Sequence, residues 1–162
     1  MKTVLIFISL LLGGADETPT PPILFAGLAW GSAPEAVAEA AAQAGWHEED
    51  EEESESGMEL TYSLPVFGTP SEATFRFSPS GKKLYAVELG WEEEDVPPRL
   101  RTRLLAELGL PRQEQEALGV TTWTRGMTEA ELRRHDDCIN LLYASLTLWK
   151  EAREERDEAR SD

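Results

Sequence analysis

Cysteine is nearly missing from this chain: Cys138 is the one cysteine in 162 residues. No internal disulfide can form, so the fold has to be held by its core. Histidine is almost as scarce. His47 sits beside an acidic run and His135 between Arg134 and Asp136, and two isolated histidines with one cysteine do not give zinc-ligand spacing. The chain also lacks a Gly-x-x-x-x-Gly-Lys phosphate loop, a Gly-x-Gly-x-x-Gly turn and a Gly-x-Ser-x-Gly elbow. A Ser-His-Asp triad can be drawn on paper from His135, but nothing marks its nucleophile. Carboxylate pairs are too abundant to be informative. The expectation is a non-enzymatic protein without a cofactor. Positive charge is short as well: 15 Lys and Arg against 31 Asp and Glu leave a formal net charge of −16. A phosphate-binding face needs clustered Lys and Arg, so this balance argues against nucleic acid. It argues equally against anionic lipid and leaves basic partners or cations open.

A sustained apolar run occurs at the start of the chain. Lys2 supplies a positive charge, Val4 to Leu12 an apolar stretch too short to span a bilayer comfortably, and Gly13-Gly14-Ala15 a small-residue junction. Residues 1–15 therefore read as a secretory signal peptide, with cleavage after Ala15. The competing reading is an uncleaved anchor. No cysteine lies at the junction, which argues against a lipid-anchored lipoprotein. The expected location is secreted or periplasmic, with no stable membrane insertion after cleavage.

What is present begins with Asp16 to Pro22, a polar, Pro-rich lead-in, and Ile23 to Trp30, a short strand or extended entry. Ser32 and Glu35 then form a Ser-x-x-Glu capping box. Pro34 falls in the first turn, Ala33, Ala36, Val37, Ala40, Ala41 and Ala44 recur at helical spacing, and Gly45 supplies the stop. A packing helix with no chemistry of its own is the plain reading. Alternation predicts strands over Met58–Leu64, Ala73–Phe77 and Tyr85–Trp91, with Ser78-Pro79-Ser80-Gly81 a type I turn. A second helix is predicted over Leu100–Leu108, stopped by Gly109. Strands follow over 120–125, 128–134 and 139–143, and a helix begins near Leu146. Cys138 opens the last strand as a small, half-buried residue.

The expected fold class is α+β, an antiparallel sheet with helices packed on one face, forming a single domain over 23–150. Both halves read helix, strand, strand, strand. This suggests a degenerate internal repeat with halves 23–91 and 96–150. Residues 151–162 read as a charged C-terminal tail that frays beyond its start.

Two features could carry binding. His47 to Gly57 is dominated by Glu and Asp; such dense like charge disfavours order, and the run reads as a solvated loop. A sharper reading makes it a calcium or magnesium site, with Glu48, Asp50, Glu52 and Glu55 as oxygen ligands, although EF-hand spacing is absent. Of the five tryptophans, Trp46 and Trp91 each adjoin an acidic run and are candidate interface anchors. The plainer alternative is that they fill the core opposite the alanine helix.

Gly31-Ser32-Ala33-Pro34-Glu35-Ala36-Val37 resembles the Gly-x-Ser/Thr-x-x-x-Val helix start of the BamE (SmpA/OmlA) envelope family. The helix-plus-antiparallel-sheet order is similar to tandem modules of the beta-lactamase inhibitory protein type. The stretch from Tyr62 through Phe67-Gly68-Thr69-Pro70 to Val87 looks like small secreted bacterial proteins of unassigned function. The chain departs from the BamE pattern in lacking its lipid-anchor cysteine. What the resemblance implies is an exported scaffold that binds other proteins, with no catalytic site to carry over. Function is thus bounded to two classes: a protein-binding module for a basic partner, or a cation- or small-ligand-binding protein using the acidic segment 48–55.

Overall fold

The structure, a computed structural model, describes residues 28–54 and 56–159. The signal segment 1–15, the lead-in 16–22 and residues 23–27 of the entry strand lie outside the described residues. Eight strands form one antiparallel sheet: β1 (His47–Ser54), β2 (Gly57–Val66), β3 (Thr69–Phe77), β4 (Leu84–Glu92), β5 (Gln113–Gln115), β6 (Val120–Arg125), β7 (Thr128–Arg134) and β8 (Cys138–Ser145). Helices α1 (Pro34–Ala44) and α2 (Leu100–Leu108) precede the first and second sets of four strands, and α3 (Leu146–Ala159) ends the described chain. The strand order is β1-β2-β3-β4-β8-β7-β6-β5, so β4 and β8 meet in the middle, with β1 and β5 at the two edges. The chain is α+β, dominated by its sheet.

Strand alternation sorts the side chains onto two faces. On the inner face one cross-sheet row reads Leu60, Phe75, Val87, Tyr143, Ala130, Trp123. Val37 and Ala41 of α1 and Leu100 and Leu104 of α2 pack into this core. The neighbouring positions Ala86 and Ala144 point the other way and pack with Tyr85, Leu142 and, from α3, Leu148, Trp149 and Ala152. Helices therefore meet both faces, where the sequence suggested one. A short, small-residue patch at the middle of the outer face admits α3.

Strands β2, β3, β4, β6, β7 and β8 lie on the segments predicted to be strands. The helix start differs from expectation. Ala33 is the N-cap, in extended conformation, and makes no side-chain cap. The Ser32 hydroxyl instead donates to Ala29 O at 2.8 Å and accepts from Ala29 N–H at 3.2 Å, closing the preceding turn. Pro34 in the first turn removes one of the two N–H groups that a Ser32 cap could meet. Of the expected alanine stripe, Ala41 is buried and Ala40 partly so, while Val37 and Pro34 supply the rest of the face. Gly45 ends the helix in the left-handed conformation (φ 70°), and Trp46 N–H returns to Ala41 O at 2.9 Å.

Helix α3 runs on to Ala159, past the point where its charge suggested fraying. Ala152 is fully buried. Arg156 Nε donates to Ala152 O at 3.2 Å, and the Glu155 carboxylate accepts from Ser80 N–H at 3.1 Å, tying the helix to the β3–β4 turn. The N-terminal segment is fastened too: Gly31 N–H donates to Leu84 O and Leu84 N–H to Ser32 O, both at 2.9 Å.

Candidate acidic edge strand

The acidic run is strand β1, not a loop. Its eight residues, His-Glu-Glu-Asp-Glu-Glu-Glu-Ser, are all exposed and pair with β2 along one side. The pairing supplies what the sequence does not: β2 is anchored by Leu60, Tyr62 and Leu64 in the core, and its backbone is a ready template for a neighbour. Water around every side chain screens the like charges.

A bulge at Glu49 shifts the register between Glu48 and Asp50. Glu48 lies opposite Tyr62, Glu51 opposite Leu60 and Glu53 opposite Met58, on the inner side. Asp50, opposite Thr61, and Glu52, opposite Glu59, are on the outer side. The inner row has electrostatic consequences. Burial, reinforced by the charges of Glu48 and Glu51, pushes the Tyr62 hydroxyl above its usual range. Lys82 Nζ pairs with Glu53 at 2.8 Å, and that hydrogen bond raises its pKa. The outer row continues into Glu59, Glu72 and Glu88, with Arg76 between Glu59 and Glu88: its Nε is 3.3 Å from Glu59 without hydrogen-bond alignment, and its terminal nitrogen is 2.8 Å from Glu88.

This register separates the proposed cation ligands. Glu48 faces one way and Asp50 and Glu52 the other, while Glu55 lies outside the described residues. Among the described residues no three His, Cys, Asp or Glu side chains are grouped to hold a metal ion. The candidate interface tryptophans are placed in or against the core. Trp91 is 4% exposed and presents no ring to a partner. Trp46 is half-buried, stacked on Phe75 with centroids 5.8 Å apart and edge-on to Tyr62 at 6.1 Å. It forms the floor from which β1 departs. Cys138 opens β8 half-buried, and burial together with Asp137 pushes its thiol pKa up, away from reactivity.

The opposite end of the sheet carries a feature that sequence reading missed. An open groove of about 430 Å³ lies on the outer face of β5–β7, between Gln113, Gln115, Leu118, Val120 and Arg133. Its floor is crossed by an Arg133–Glu131 ion pair at 2.5 Å. β5 has three residues and no alternation to betray it. No helix of the described residues is long and apolar enough to cross a membrane. No protein-family model, curated protein or solved structure matches the chain.

Proposed function

We propose that the chain is an exported, non-enzymatic protein-binding module whose edge strand β1 receives a basic, extended segment of a partner protein. The observation that carries this reading is the edge itself: eight exposed residues with six carboxylates, hydrogen-bonded to β2 on one side and, among the described residues, to no strand on the other. A peptide added to a sheet edge gains backbone hydrogen bonds, and its alternate side chains meet the two faces. Here those faces offer Glu48, Glu51 and Glu53 on one side and Asp50 and Glu52 on the other. The same charge repels a second copy of β1, so the edge discriminates against self-association while admitting a cationic strand. Export is supported by the signal-like residues 1–15. The order α1-β1-β2-β3-β4 followed by α2-β5-β6-β7-β8 supports two fused helix-plus-sheet units joined at β4 and β8, as the resemblance to tandem inhibitory modules implies.

The test is titration of the chain from Asp16 onward with a short peptide alternating lysine and threonine. Expected is saturable binding that weakens several-fold as salt rises and is lost when Glu48 through Glu53 are replaced by Gln. N-methylating alternate peptide residues, which removes backbone donors but keeps every charge, is expected to abolish it. Equal binding by the methylated peptide would reduce the site to unspecific charge, and no binding by either would overturn the proposal.

A further inference from the structure

Helix α2 carries a carboxylate where its packing face calls for an apolar residue. Leu100 and Leu104 are 5% and 0% exposed. Residue 107 falls three positions after Leu104 and seven after Leu100, on the same stripe. That residue is Glu107, with its Oε2 buried and accepting no hydrogen bond from any described residue. Beneath α2 lies β6, whose Trp123 is fully buried and shares a cross-sheet row with Ala130 and Tyr143.

The charged and titratable groups around this carboxyl come from three elements. Arg103, one turn earlier on α2, has its guanidinium 5.1 Å from the centre of the Phe67 ring. Arg125 of β6 donates to the backbone carbonyl of Glu107. Tyr143 of β8 feels the charge of Glu107, which adds to burial in pushing its hydroxyl pKa far up. Burial of Glu107 raises its own pKa, and Arg103 and Arg125 oppose that rise without cancelling it. Arg103 lies over a ring and Arg125 bonds a carbonyl, and neither donates a hydrogen bond to the buried oxygen.

We propose that Glu107 is a pH-responsive latch: protonated, it lets α2 lie closed on β6 and Tyr143, and ionised, it draws water into the seam and loosens the helix. The sign follows from linkage. A carboxyl that holds its proton more tightly in the closed state stabilises that state at low pH, and the stabilisation is lost as pH rises through its folded pKa. Loosening α2 uncovers Leu100, Leu104 and the Trp123 ring.

Amide hydrogen exchange over residues 103–108 tests this from about pH 4 to about pH 8, a window spanning the ordinary carboxylate value and a raised one. The ratio of wild type to Glu107→Gln cancels the intrinsic pH dependence of exchange. Expected is a ratio near one at the acidic end that grows by about tenfold for each pH unit by which the folded carboxyl exceeds its unfolded value. Glu107→Leu is expected to be protected, with a ratio to Glu107→Gln that does not change with pH. A ratio that does not change with pH would overturn the latch. Should the Gln variant fail to fold, carbon-detected titration of the Glu107 carboxyl in the wild type decides instead: a midpoint at or below the ordinary glutamate value overturns the proposal, and a raised one upholds it.

Discussion

The indole N–H of Trp30 donates to the hydroxyl of Thr128 at 2.9 Å, joining residues 98 positions apart. Thr128 is 7% exposed and opens β7, so this bond ties the segment before α1 to the second set of strands. Removing either partner leaves the other unsatisfied. Trp30→Phe and Thr128→Val should each lower unfolding free energy by about 1–2 kcal/mol, and the double variant by less than the sum. Urea unfolding of the four proteins measures the cycle; strict additivity would mean that the bond contributes nothing.

At Gly57, where β1 turns into β2, φ is 123°, and an added Cβ would sit 2.3 Å from the carbonyl oxygen of Phe77. Both the backbone conformation and the contact exclude a side chain. Gly57→Ala should cost about 1–3 kcal/mol and open the start of the β2–β3 ladder. Thermal unfolding checks the first, and amide exchange at Met58 and Phe77 the second.

Arg76 lies between Glu59 and Glu88 on the outer face, with all three side chains partly exposed. Arg76→Gln would leave two carboxylates facing each other across β3. The expected loss is about 1 kcal/mol at neutral pH, since partial exposure screens the charges. It should shrink in high salt. A loss independent of salt would assign the effect to the packing of the Arg76 stem.

Tyr62, Tyr85 and Tyr143 all have their hydroxyl pKa raised, with burial the first cause in each. An acid whose folded pKa exceeds its unfolded value of about 10 adds stability below that value and loses it as pH rises beyond. The chain has three tyrosines, all of this kind. Phenolate absorbance should therefore appear together with loss of the sheet signal above about pH 10, as one transition. Phenolate formation in the intact sheet would contradict their burial.

Much of the frame was legible because its signals are local and apolar. Met58, Leu60, Tyr62 and Leu64 alternate, and so do Ile139, Leu141 and Tyr143; these positions form the inner face. The stops at Gly45 and Gly109 were equally plain. β1 was not, because none of its residues is apolar and no periodicity can show; β2 makes it a strand. The cap at Ser32 was misread because a hydroxyl has several local partners, and Ala29 took it. The position of α3 was hidden because Ala86 and Ala144 signal a place to dock only once the sheet sets them side by side. The acidic residues of the candidate site were visible from the start, whereas their division between two faces depends on one bulge at Glu49.

The junction of β4 with β8 has a consequence for how the chain is made. β4 is complete at Glu92, but its partner begins at Cys138 and ends at Ser145. For some fifty residues of synthesis, β4 is an open edge with Leu84, Val87, Leu89 and Trp91 on it, and no local contact can close it. Pairing over so long a separation is slow. The acidic strand at the far side of β3 and β2 is already in place by then, so the nascent half-sheet carries one guarded edge and one adhesive one. Folding therefore finishes at the middle of the sheet, where the last strand in the sequence closes it.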